Sequence, residues 1–212
     1  MTVVGLIGKI GAGKTTVSNL LRHHGAVVID ADALTHDALR NEDVQEQIRA
    51  RFGNIVFVGS EVDRSRLAEC VFGGQTEKNA LKDLEEIIHP RVRSALEDRL
   101  SVIAHKEVDS EVGDAVVVLD VPLLVQGGLH TRCDLLIWLE CEDSVRHQRL
   151  AVRGLSTAQI AAREEAWSRG FLADTSSFPS ISTVDTSGDI AYTQFEIDRI
   201  LSLIHISEPT RH

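Results

Sequence analysis

Aromatic side chains make up only 4 % of this 212-residue chain, with six Phe, two Trp and one Tyr. So few rings cannot fill the interior of a domain this long, and the core must come mainly from Val, Ile, Leu and Ala. Positive charge is also in deficit. Against 22 Lys and Arg stand 32 Asp and Glu, a formal net charge of −10. A field of that sign argues against nucleic acid or an acidic membrane surface as partner, so an anionic substrate has to be held by local arginines. Cys70, Cys133 and Cys141 are odd in number and lack metal-ligand spacing, and they read as small apolar residues in a reducing compartment. No stretch looks like a secretory leader, and none is apolar for long enough to span a bilayer. The expectation is a cytoplasmic protein with no obligatory protein partner. No internal repeat and no Asn-Lys-x-Asp guanine-reading motif occurs, and no lysine follows Lys106.

Against these absences, one stretch is rich in meaning: Gly8-Lys9-Ile10-Gly11-Ala12-Gly13-Lys14-Thr15 fits the phosphate-loop pattern G-x-x-x-x-G-K-[ST]. Val3-Val4-Gly5-Leu6-Ile7 before it suits a buried parallel strand. Behind it, Val17, Leu20 and Leu21 share one face of a helix. Glycines let the backbone curl so that successive N–H groups point at one anion, and the helix start adds partial positive charge. In such a loop Lys14 reaches the β- and γ-phosphates, the Thr15 hydroxyl coordinates Mg²⁺, and residues 8–16, Thr16 included, wrap the triphosphate. The motif and its flanks point to binding of a nucleoside triphosphate.

Ala26–Ile29 forms a second strand running into Asp30-Ala31-Asp32. Strand ends face the ligand crevice in doubly wound sheets, so a carboxylate there is a candidate functional group. An aspartate before Ala33-Leu34 also serves as a helix N-cap, and the residues leave both readings open. From Ala33 to His105 the pattern is mostly helical, with breaks at Gly53–Gly59 and Gly73-Gly74. Leu81, Leu84, Ile87, Ile88, Val92, Leu96 and Leu100 make an amphipathic series that Pro90 is expected to interrupt. This stretch reads as a helical insert, followed by a solvated loop over 106–114. Ala115–Leu119 is the clearest central strand, and it ends at Asp120, a candidate Mg²⁺ support, directly or through water. Asp134–Leu139 is a fourth strand. Glu140–Arg153 reads as a helix with Arg146, Arg149 and Arg153 along one side, and Leu155–Trp167 as another. Val184–Gly188 is a weak last strand and Ile190–Ile200 a last helix. The fold expected is α/β, a parallel sheet of about five strands with helices on both faces.

The phosphate loop, Ile29-Asp30-Ala31-Asp32, Val62-Asp63-Arg64 with Leu67 and Val71-Phe72, Leu84–Pro90 with its His89-Pro90, and Val118-Leu119-Asp120-Val121-Pro122-Leu123-Leu124 occur in this order. Together they resemble the dephospho-CoA kinase family over most of residues 1–200. The resemblance implies a phosphate-loop kinase fold and transfer of the ATP γ-phosphoryl group to the 3′-hydroxyl of dephospho-CoA, with Mg²⁺ accompanying ATP. It implies that Asp32 accepts or orients the hydroxyl proton. Arg149 and Arg153 match arginines of a mobile lid, while Arg64, His89 and Arg91 fall in the region that receives the acceptor. Within residues 1–200 the core is expected at 1–32, 115–145 and 183–200, the substrate insert at 33–114 and the lid at 146–182. The alternatives are another small-molecule or nucleoside monophosphate kinase, or an ATP-binding homologue with impaired turnover.

Lys9 stands where the family usually has glycine, and Gln126 where an acidic residue is usual. After Arg163-Glu164-Glu165-Ala166 the family pattern lapses, and Ser168–Ser182 is expected to be poorly ordered. Residues 201–212 resemble an in-frame translation of a sequencing adapter. They are expected to lie outside the natural protein, so His205 and His212 are not candidate ligands.

Overall fold

The structure is a computed structural model describing residues 1–72, 79–108, 115–121, 124–125, 128–171 and 178–206. The Gly73-Gly74 break, Pro122-Leu123, Gln126 and the residues from Ser207 onward lie outside the described residues. The side chains of Asp32 and Phe72 do too. Two compact units are formed, one from Met1–Asp30 with Lys106–His212 and the other from Ala31–His105.

In the first unit, β1 (Thr2–Ile7) leads into α1 (Lys14–His23), and β2 (Val27–Asp30) follows. After the second unit come β5 (Val116–Asp120), β6 (Leu135–Glu140), α6 (Asp143–Val152), α7 (Thr157–Phe171), β7 (Ser180–Asp185) and α8 (Ile190–Ile206). The described strands of this unit form one five-stranded parallel sheet in the order β2-β5-β1-β6-β7. Continuous Val, Ile and Leu runs fit central parallel strands because both faces are covered. Period-two alternation then sorts the side chains. Val4 and Leu6 of β1, Val118 of β5, and Ile137 and Leu139 of β6 join Val17 and Leu21 of α1 and Ile197, Ile200 and Leu201 of α8 in one buried cluster. On the opposite face, Trp138 of β6 meets Trp167 of α7 edge-on, with ring centroids 6.0 Å apart. Helices therefore cover both faces. The start of the sheet is pinned where the Asp134 carboxylate accepts the Val3 N–H at 2.7 Å. Cys133 is buried, and burial with the nearby Asp134 charge pushes its thiol up to about 12. That makes it an unreactive core residue, whereas Cys70 and Cys141 are half-buried.

The second unit contains α2 (Ala31–Ala38), α3 (Glu42–Phe52), the short pair β3 (Phe57–Val58) and β4 (Glu61–Val62), α4 (Arg64–Phe72) and most of α5 (Ala80–Val108). Four features depart from the sequence expectation. The break at Gly53–Gly59 holds an antiparallel hairpin; its signal was the two-residue link Gly59-Ser60, with Gly59 at φ 64°. Asp32 lies inside α2 and not before it, so it is not the cap. Pro90 does not interrupt its helix, because α5 runs unbroken for 29 residues. Ile88, Val92, Leu96 and Leu100, spaced by four, are buried on either side of the proline, and that packing outweighs one lost backbone bond. In the first unit, the last strand begins at Ser180 and α7 reaches Phe171, so the ends of the Ser168–Ser182 segment are ordered, contrary to expectation, while 172–177 lie outside the described residues. Among the described residues, no helix is long and apolar enough to cross a membrane.

The proline leaves the Glu86 carbonyl without its helical donor. Pro90→Ala should restore that bond and raise stability by about 1–3 kcal/mol, read as a higher urea midpoint at unchanged slope.

Candidate active site

The loop between β1 and α1 emerges from the centre of the sheet at its C-terminal edge, the usual ligand crevice of such folds. Its curvature is fixed by close approach. A Cβ on Gly8 would lie 2.8 Å from the Leu139 carbonyl oxygen. At Gly11, where φ is +81°, a Cβ would meet Leu150 Cγ at 3.0 Å and the Arg146 carbonyl oxygen at 3.2 Å. The loop is therefore seated between the end of β6 and one side of α6, and only glycine allows it. Helix α1 starts from Gly13 with no side-chain cap and no acidic residue in its first turn. An anion is the natural complement of such an end.

The Lys14 ammonium donates to the Gly8 carbonyl at 2.6 Å and lies 3.4 Å from that of Lys9. Burial lowers its pKa from the ordinary lysine value, an effect that the Asp120 charge partly offsets. Asp120 ends β5 and is the register partner of Asp30 at the end of β2, so two carboxylates sit side by side at the sheet edge. Thr15 and Thr16 are exposed on the first turn of α1. Lys9 carries its ammonium 3.7 Å from Asp143.

Residues far along the chain hold the loop from behind. The buried Thr186 hydroxyl lies 2.9 Å from both the Ala12 and the Glu140 carbonyls, and its N–H donates to Glu140 at 2.8 Å. Arg149 donates to the Thr186 carbonyl at 2.7 Å and lies 3.4 Å from Cys141 Sγ. Arg153 is exposed at the C-terminal end of α6. Arg146 differs from both: it is buried, and it donates to the Ile10 carbonyl at 2.9 Å. The three arginines thus do not make one solvated face. Nothing in the sequence around Thr186 signalled its bridging role, because a lone threonine after a weak strand carries no pattern.

Beside the loop lies a cavity of roughly 400 Å³, reaching from Lys9 and Ala12 to the ends of β6 and β7. Trp138, Glu140, Glu142 and Asp185 line it. Ser187 braces this wall: its hydroxyl accepts the Glu142 N–H at 2.8 Å and donates to Asp185 at 2.6 Å, and that bond, together with the Ser187 N–H donating to the same carboxylate at 2.8 Å, holds the Asp185 carboxyl below its usual range. The expected acceptor residues fall in the second unit. Arg64 is exposed at the start of α4; on α5, His89 is half-buried and Arg91 exposed on either side of Pro90. His89 is mid-helix, not at a helix end.

A family model described as dephospho-CoA kinase matches residues 2–169. The chain belongs to the dephospho-CoA kinase family. Among its relatives, the dephospho-CoA kinase of Geobacillus kaustophilus is 37 % identical over 163 residues, covering 76 % of this chain and 77 % of that protein. That of Deinococcus radiodurans is 31 % identical over 205 residues, covering 96 % and 93 %. A crystal structure from Thermus thermophilus superposes with a TM-score of 0.71 at 29 % identity, over 98 % of each chain. As a family member, the chain is an ATP-dependent kinase.

Thr186→Val keeps the shape and deletes the hydroxyl that both carbonyls share. We expect about 1–3 kcal/mol lower stability in denaturant titrations, and weaker ATP binding by the folded fraction.

Proposed function

We propose that the chain transfers the γ-phosphoryl group of ATP to the 3′-hydroxyl of dephospho-CoA, releasing CoA and ADP. The observation that carries this is the glycine-seated loop with Lys14 at its mouth, in a chain that belongs to the dephospho-CoA kinase family. In the reaction the acceptor 3′-oxygen bonds to the γ-phosphorus and the bridge to the β-phosphate breaks. The hydroxyl proton passes to the Asp32 carboxylate. Such transfer is loose, so positioning and charge neutralisation do most of the work and Asp32 need not be a strong base.

Lys14 and the N–H groups of residues 8–16 hold the phosphates. The Thr15 hydroxyl and the Asp120 carboxylate are hard oxygen donors of the type Mg²⁺ prefers, directly or through water, and suit the ion that ATP carries. When bound, that ion neutralises phosphate charge. Asp32 follows the end of β2 by two residues, immediately along the chain from Asp30 and its neighbour Asp120. Arg149 and Arg153 serve the triphosphate from a lid within 146–182, and shield it from water. Arg64, His89 and Arg91 belong to an acceptor-binding insert over 33–114. A single kinase domain over residues 1–200 and a cytoplasmic location complete the reading.

The decisive experiment follows ADP release from Mg-ATP with dephospho-CoA, and in parallel with AMP, CMP, UMP and adenosine. Turnover confined to dephospho-CoA is expected, and turnover on a nucleotide alone would move the function to a nucleotide kinase. Asp32→Asn should reduce kcat by about a hundredfold or more while ATP still binds. Unchanged turnover in that variant would remove Asp32 from the chemistry.

A further inference from the structure

Arg146 heads the largest fully buried side chains of the described residues, with 1 % of its surface exposed. Three acceptors surround its guanidinium. The Ile10 carbonyl takes Nη1 at 2.9 Å, and Asp143 of α6 takes Nη2 at 2.6 Å and Nε at 3.2 Å. Glu164 of α7 also accepts from Nη2. Burial alone would lower the arginine's pKa, but its two carboxylate partners raise it. At Glu164 burial pulls upward, yet Arg146 holds the carboxyl below its usual range. The cation stays charged.

The Ile10 bond belongs to a series. Along the phosphate loop, the carbonyls of Gly8, Ile10 and Ala12 are taken in turn by Lys14, Arg146 and Thr186. In a planar trans peptide, the carbonyl of one residue and the N–H of the next point in opposite directions. A donor that fixes the Ile10 carbonyl therefore also fixes the Gly11 N–H. This peptide needs fixing, because Gly11 sits at φ +81° with no Cβ to resist a flip of the plane.

We infer that Arg146 is a positioning residue for phosphoryl transfer: it holds the Ile10–Gly11 peptide so that the Gly11 N–H is presented to the triphosphate. This rests on the reading of the loop as the ATP site. Lysine cannot replace it well, since one ammonium cannot serve a carbonyl and carboxylates on two helices in a fixed fork.

The test uses the full chain and reads ATP affinity by the fluorescence of Trp138 and Trp167, the chain's two tryptophans, separately from turnover. Arg146→Met, similar in length but without donors, should weaken ATP binding about tenfold or more. Its KM for ATP should rise in step, and its KM for dephospho-CoA should stay within about twofold. Arg146→Lys should recover part of the loss. Glu164→Gln spares the Ile10 bond and should bind ATP within about twofold of the parent. Folded Arg146→Met with parental affinity would overturn the inference. So would Glu164→Gln losing as much affinity as Arg146→Met, which would reduce the cluster to a helix tie. If Arg146→Met does not fold, Arg146→Lys decides: two- to tenfold weaker binding supports the inference and parental binding refutes it. A parent chain that binds ATP yet phosphorylates no dephospho-CoA would sink the acceptor assignment and leave this inference standing.

Discussion

A backbone that turns its N–H groups toward one anion must turn its carbonyls the other way, and buried carbonyls need donors. That requirement shapes the whole first unit. The Gly8, Ile10 and Ala12 carbonyls are satisfied by an ammonium from α1, a guanidinium from α6 and a hydroxyl from the residue that follows β7. Strand β1 lies at the centre of the sheet, so the loop that leaves it can be flanked by the ends of β6 and β7 and backed by α6. Close approach at Gly8 and Gly11 is the counterpart of those bonds. The loop is pressed against its supports hard enough that a methyl group would not fit.

The electrostatics follow a similar economy. The chain is acidic overall, yet it is built to hold a polyanion. Its answer is to keep cations where they are needed and neutralise the others locally. The Asp143 carboxyl is held below its usual range by the hydrogen bond from Arg146, with the charges of Arg146 and Lys9 adding to it. Asp143 and Glu164 thus balance the buried guanidinium together with the Lys9 ammonium, and the loop receives its donor without a stray charge. Lys14 carries its ammonium at the mouth of the loop, and Asp120 steadies its charge against burial.

Much of this was legible in the residues. The strand, loop and helix around Gly8–Thr15 carry their own geometry in their spacing, and unbroken runs such as Val116–Leu119 announce a central parallel strand. Legibility failed where tertiary packing overrode a local rule. Pro90 reads as a helix breaker, but burial of residues 88, 92, 96 and 100 carries the helix through it. Ser180–Ser182 reads as loop because Ser is a poor strand former, yet pairing with Leu135–Ile137 extends β7 to include it. Arg146 looked like one of three equivalent arginines because helical spacing cannot tell which face is buried when the neighbour is a loop 136 residues away. Thr186 left no trace at all.

The separation of those contacts in sequence bears on the order in which the molecule is finished. The loop is made well before its supports, because the bonds that set it reach across 136 and 174 residues to Arg146 and Thr186. A growing chain therefore carries its phosphate loop long before it can use it, and the loop closes only when α6 and β7 dock against the sheet. Contacts of such long range form late because loop closure opposes them. ATP, by binding the closed form, adds its free energy to the docking of β7 and so favours the folded first unit over any partly folded form of it.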